Sequence, residues 1–157
     1  MRKHASVDLL IQALDQLEAG MGWLQRSYAQ CLPIGTKAEY TAEEYDHYEN
    51  LTSRYARVAD LIVHKVLRSI DAVELQEPGT LIDTANRAVA RGLVDSVETL
   101  RAYKDLRNDI AHEYQTEDLS ELFADVMRTT PELLSLAKVI LNYGHSLLAG
   151  SEDFTSR

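Results

Sequence analysis

Apolar residues at Val7, Leu10, Leu14, Leu17, Met21, Leu24 and Tyr28 keep a strict three–four spacing. That period places one apolar side chain per turn on a single face, so it predicts one long first helix with a coiled-coil-like seam. The pattern stops near Pro33 and Gly35. Thr41 and Glu44 then have capping-box spacing, with the hydroxyl available to the first unpaired amides and the carboxylate able to reach back. A second long helix follows to about Leu75, carrying Tyr48, Leu51, Tyr55, Val58, Ile62 and Val66 on its apolar side. "QEPGT" breaks the chain, and Thr80 caps a shorter third helix that ends at Gly92, a natural left-handed stop. Asp95 and Glu98 again have cap spacing and open a fourth helix through Val97, Leu100, Tyr103 and Ile110. Asp118 and Glu121 mark a brief fifth turn or helix. Thr130 followed by Pro131 reads as a cap plus a first-turn proline, starting a final helix through Leu133, Leu136, Ile140 and Leu147. No alternating strand pattern or internal repeat interrupts this series. The predicted fold is an all-α antiparallel helical bundle of four to six helices, the first two long. Residues 1–149 form one domain and residues 150–157 a polar tail.

Composition narrows the picture. With 157 residues the chain can bury a core without metals or disulfides. A single cysteine, Cys31, excludes an internal disulfide framework and a Cys-based zinc site. The net charge of −9 argues against broad, sequence-independent nucleic-acid binding, which depends on contacts to many phosphates, but leaves room for one local basic site. The N-terminus meets Asp8 and Gln12 too early for a signal peptide's apolar core, and no run reaches the roughly 20 apolar residues of a membrane span. The chain therefore reads as soluble and cytoplasmic, with no membrane partner.

The segment "LRNDIAHEY", Leu106 to Tyr114, concentrates titratable chemistry at the end of the fourth helix. At about 100° per residue, Arg107 and Tyr114 share one face and Asn108 and His112 another, while Arg107 and His112 lie roughly 140° apart. Three arrangements would bring them together. The arginine can curl back, the helix can end near Ala111, or a two-fold axis can pair two copies of the motif, with a seam built from the heptads of the first helix. The chemistry these groups suit is phosphodiester cleavage. A histidine titrates near neutral pH and can move a proton. A guanidinium matches phosphoryl oxygens and stays charged as negative charge develops. Asn108 can orient the histidine or bind a phosphate oxygen. On RNA the 2′-hydroxyl supplies the nucleophile. Taken alone, the spacing favours a plainer reading: Arg107 pairs with Glu113 or Asp109, and His112 closes a helix and complements its dipole.

"RNDIAHEY" resembles the signature of the HEPN superfamily. More closely it resembles the R-x4-H-x-Y form of HepT-like toxins, matched by Arg107, His112 and Tyr114. The resemblance extends to the two long first helices, the motif on the fourth and a closing helix, hence to most of the chain. It implies a HEPN-like bundle, a homodimer with the motifs at the interface, and endoribonuclease activity against cellular RNA without metal or cofactor. It also implies a type II/VII-like toxin–antitoxin pair whose partner is a small nucleotidyltransferase of the MNT type, able to attach AMP to the motif tyrosine. Catalysis is carried over to Arg107 and His112, support to Asn108 and AMPylation to Tyr114. The alternative within the same resemblance is a non-catalytic HEPN binding or adaptor module that partners a nucleotidyltransferase.

Other groups weigh less. Arg101, Lys104 and Arg107 are spaced by three, and Arg87 and Arg91 by four. Together they offer a basic rim that could guide an RNA backbone, although a solvated, salt-bridged face is the plainer reading of each. Glu43, Glu44 and His47 have ligand-compatible spacing but read as charge at a helix start, and Asp60 and His64 as a surface or groove pair; no metal is expected. Tyr45, Tyr48 and Tyr55 form a helical stripe that belongs in a core, where their hydroxyls need partners.

Overall fold

Helices account for every regular element in the computed structural model of the chain, which describes residues 2–113 and 119–155. In order they are α1 (Arg2–Cys31), α2 (Ala42–Asp60), a π-helical segment (Leu61–Val66), α3 (Leu67–Val73), α4 (Leu81–Ala90), α5 (Val97–Glu113) and α6 (Leu119–Thr155). Among the described residues there is no strand. The fold is an all-α helical bundle.

The helix starts follow their caps. Thr41 Oγ1 accepts from the Glu44 amide at 3.2 Å, and Glu44 Oε1 accepts from the Thr41 amide at 3.0 Å. The same reciprocal pair joins Thr80 and Asp83 at 3.3 and 2.9 Å. These bonds satisfy amides that the first helical turn leaves unpaired. Hydrogen bonds from Lys37 and the Thr41 amide hold the Glu44 carboxyl below its usual range. The Thr80 amide does the same for Asp83. At α5 the cap is Ser96 rather than Asp95: its hydroxyl accepts from the Thr99 amide at 3.3 Å. Asp95 stands one residue too early for that geometry.

Gly92, at φ 75°, stops α4 as expected. Its amide bonds Val89 O at 2.9 Å and the Leu93 amide bonds Ala88 O at 3.0 Å, the paired closure of a Schellman motif. The end of α3 closes identically, but with a leucine. Leu75 holds φ 61°, with Leu75 N to Ala72 O at 3.1 Å and Gln76 N to Asp71 O at 2.8 Å.

Three boundaries differ from the sequence reading. The second long helix passes through a π-helical turn at Leu61–Val66 before continuing as α3. Thr130 and Pro131 do not start a helix; Pro131 lies inside the 37-residue α6. A proline there removes one backbone bond. Helix nevertheless persists, because Phe123, Val126, Thr130, Leu133, Ala137 and Ile140 form an unbroken buried face across it. Thr130 Oγ1 donates back to Val126 O at 2.6 Å, and Pro131 is exposed. The helix also runs past Gly150 to Thr155.

The seam of α1 is consumed internally. Leu10, Leu14, Leu17 and Leu24 are fully buried, and α1 packs on α2, α3 and α6. The expectation that these heptads build a dimer seam is therefore corrected: their apolar face is already covered by the chain's own helices. Contacts of Ser27 and Trp23 with Arg54, of Gly20 with Val58 and Leu61, and of Gln16 with Lys65 show α1 and α2 to be antiparallel. Gly144 lets α6 approach α1 closely, since a Cβ there would stand 2.7 Å from Leu14 Cδ2. At the far end Tyr48 stacks on Phe123, ring centroids 4.7 Å apart, and its hydroxyl donates to Gly35 O. Tyr55 is fully buried with its hydroxyl unpaired among the described residues. No helix among the described residues is long and apolar enough to cross a membrane.

Candidate functional site

Leu106 and Ile110 are buried and fix the roll of α5 against the core. That packing decides where the polar members of the motif point. Arg107 turns toward the last turn of α2, where Nε donates to Asp60 Oδ1 at 2.9 Å and Oδ2 at 3.1 Å. Both bonds use Nε, so Asp60 does not engage the terminal nitrogens of the fork. The two side chains are 36% and 39% exposed, so this is a wetted ion pair rather than a sealed one. Asp60 immediately precedes the π-helical turn, a local distortion found more often at functional positions than elsewhere in helices. Asp109 does not take the role the plainer sequence reading gave it as the arginine's partner, and the Glu113 side chain lies outside what the structure describes.

Asn108 is half-buried, and His112, in the last turn of α5, is exposed. His112 makes no hydrogen bond or ion pair among the described residues. Because α5 stays helical through Glu113, it does not end near Ala111, and Arg107 and His112 keep their separation of about 140°. The structure thus brings Arg107 to Asp60 and does not bring it to His112 within one chain. Tyr114 lies outside the described residues.

The helix turn also groups residues that the sequence reading treated apart. Taking Arg101 as reference, Lys104, Asn108 and His112 fall within about 60° of it, so the four form one stripe. At its N-terminal end the stripe borders a cleft of about 390 Å³, walled by Val63, Leu67, Leu81, Ala85 and Leu100, with Arg101, Lys104 and Asp105 at the rim. Arg101 is exposed and Lys104 half-buried. Asp105, about 40° from Arg101, falls on the same stripe, and Asp109, at about 80°, lies beside it. With Asp125, Arg128 and Glu132 of α6 they line the adjoining groove, so the stripe carries mixed charge.

Arg87 and Arg91 do not join that rim. Arg87 pairs with Asp71 at 3.1 Å, while Arg91 pairs with Asp71 at 2.7 Å and Glu74 at 2.9 Å. The Arg91 side chain is only 9% exposed, and Glu74 also accepts from Tyr143. This network ties α3, α4 and α6 together, so it is structural. Among the described residues no three His, Cys, Asp or Glu are grouped to hold a metal ion. Glu44 is engaged by Lys37 and its cap, and Asp60 by Arg107. Asp60 and His64 do not form a pair, because His64 faces the groove along α1.

Sequence reasoning missed Asp60 as the arginine's partner. The two are 47 positions apart, and no local spacing could have joined them.

What fold and site define together is an all-α bundle presenting a polar motif from the end of its fifth helix. Compared with protein-family models, curated proteins and solved structures, the chain matches none.

Proposed function

We propose that this chain is a HEPN-type ribonuclease toxin: a metal-independent endoribonuclease, acting as a homodimer on cellular RNA. A nucleotidyltransferase antitoxin of the MNT type neutralises it by attaching AMP to Tyr114. The observation that carries the reading is the disposition of Arg107 and His112 on α5. One is anchored through Nε with its terminal nitrogens not used by Asp60, and the other is exposed in the last turn of the same helix.

In this scheme His112 removes the 2′-hydroxyl proton or protonates the 5′-oxygen leaving group. Arg107 stabilises the charge of the pentavalent phosphorus, and Asn108 orients the histidine or a phosphate oxygen. The separation of Arg107 from His112 gives the dimer its purpose, since a two-fold axis can set the arginine of one copy beside the histidine of the other. An AMP group on Tyr114 would add negative charge and bulk beside the site.

A second reading has its own support. The pairing of Arg107 with Asp60 is what a purely structural arginine would make, and it fits a non-catalytic adaptor that binds a nucleotidyltransferase. Expression in a growing host separates the two. The toxin reading expects growth arrest by wild type, relief by His112→Ala and by Arg107→Ala, and AMP-sized mass increments on wild type but not Tyr114→Phe after coexpression with the partner. The adaptor reading expects no arrest by any of these chains.

A further inference from the structure

A groove on the other face of the molecule separates α1 from the α2–π–α3 rod. Its first part, about 700 Å³, is lined by Trp23, Arg54, Arg57 and Lys65. Its second part, about 330 Å³, shares Gln16 and Lys65 with the first and continues past His64 and Arg68. The two lie end to end, bridged by Gln16 and Lys65, and together run from Trp23 to Leu9, about 21 Å along α1 at 1.5 Å per residue. No carboxylate lines either part.

In a chain of net charge −9 that is an unusual concentration of cations. Elsewhere among the described residues Lys37, Arg87, Arg91, Arg107 and Arg128 each pair with a carboxylate, while Arg26, Arg101, Lys104 and Lys138 do not but are not gathered in one groove. Arg54, Arg57, Lys65 and Arg68 have no such partner among the described residues. Two of them are held in place by neutral groups instead. Arg54 donates to Ser27 Oγ at 2.6 Å, and Lys65 donates to Gln16 Oε1 across the groove at 3.2 Å. Their charge is thus positioned without being cancelled. Gly20 keeps the floor tight, since a Cβ there would already stand 3.4 Å from Val58 and Leu61.

Trp23 adds a second kind of contact. It is 56% exposed, and the Arg54 guanidinium lies 5.0 Å from its ring centroid. An exposed indole backed by a guanidinium offers a stacking platform to a planar base, and a row of unneutralised cations beside it tracks a phosphate backbone. An acidic peptide would use the cations but has no base to place on the indole.

We infer that this groove binds single-stranded polynucleotide, with a base on Trp23 and phosphates on Arg57, Lys65 and Arg68. Calling the strand RNA rests on the proposed function; the binding does not. Leu61 lines the middle of the groove, while its neighbour Asp60 is turned away from it toward Arg107.

Trp23 is the only tryptophan, so its fluorescence reports the groove directly. The experiment titrates a short single-stranded oligoribonucleotide into the His112→Ala chain, which keeps the strand intact whichever way the cleavage reading falls. Saturable quenching is expected. With three phosphate contacts the log–log salt slope should be about −2, a loss of roughly twentyfold between 50 and 200 mM salt. Arg57→Gln with Lys65→Gln should lower the slope to about −0.7. With a dye-labelled strand, Trp23→Ala should weaken binding by roughly tenfold, and circular dichroism of each variant checks that it is folded. Absence of quenching, an unchanged slope in the folded double variant, or equal quenching by polyglutamate would overturn the assignment, the last in favour of an acidic protein partner.

Discussion

Removing Asp60 tests whether it positions Arg107 or merely pairs with it. A charged hydrogen bond out of water contributes about 1.5–3 kcal/mol. Here the partners are 36% and 39% exposed, so solvent screening brings the pair down toward the exposed range, about 0.5–1 kcal/mol. Asp60→Ala should therefore lower the melting temperature by only about 1–4 °C in a chain of this length. A double-mutant cycle with Arg107→Ala should return a coupling of the same 0.5–1 kcal/mol in urea unfolding. The effect on RNA cleavage should be larger than stability explains. With the guanidinium no longer held, Asp60→Ala should lose on the order of tenfold, equivalent to about 1.4 kcal/mol of barrier. Arg107→Ala should lose about a hundredfold or more. Once Arg107 is absent, removing Asp60 should change cleavage no further. Additive losses in activity would refute the positioning role. A stability loss of about 3–5 kcal/mol, with no excess loss in cleavage, would show a pair that holds the fold rather than one that positions Arg107.

Three further outcomes follow from the fold. Leu75→Gly should raise stability by about 1 kcal/mol, because a left-handed conformation costs a leucine that glycine does not pay and the side chain is 80% exposed; an unchanged urea midpoint would contradict the closure described for α3. Tyr55→Phe should leave stability equal or higher by about 1 kcal/mol, since it removes a buried hydroxyl without a partner; a clear loss would reveal a bond to that hydroxyl. Burial raises the Cys31 thiol to about 11 from 9.0, so the fold favours the protonated form. That contribution is complete below pH 9 and fades as pH rises through about 11. A thiol reagent at pH 8 should accordingly label the unfolded chain and spare the folded one, and fast labelling of the native protein would place Cys31 at the surface.

Local chemistry made most of the bundle legible. Thr41 with Glu44, Thr80 and Gly92 act within one turn of themselves, so their identities alone mark the helix ends. Where several elements decide an outcome, local reading stopped short. The heptads of α1 announce a buried seam, but whether a second copy or the chain's own α2 and α6 covers it is a tertiary fact. Pro131 is an ordinary helix start locally, and the buried face from Phe123 to Ile140 overrides it. The π-helical turn has no spacing signature. At the site, the motif on α5 could be read from "LRNDIAHEY", and the regular helix kept the expected angle between Arg107 and His112. The partnership with Asp60, the loss of Arg87 and Arg91 to an ion-pair network, and the cationic groove along α1 all join residues far apart in sequence.

The proposed function requires His112 to perform chemistry rather than close a helix. The direct measurement incubates purified wild-type and His112→Ala proteins, matched in melting temperature, with total cellular RNA in excess EDTA and maps the new ends. Wild type should make discrete cuts, leaving 5′-hydroxyl and 2′,3′-cyclic or 3′-phosphate termini, and His112→Ala should make none. Identical RNA profiles from the two proteins would contradict the proposed function.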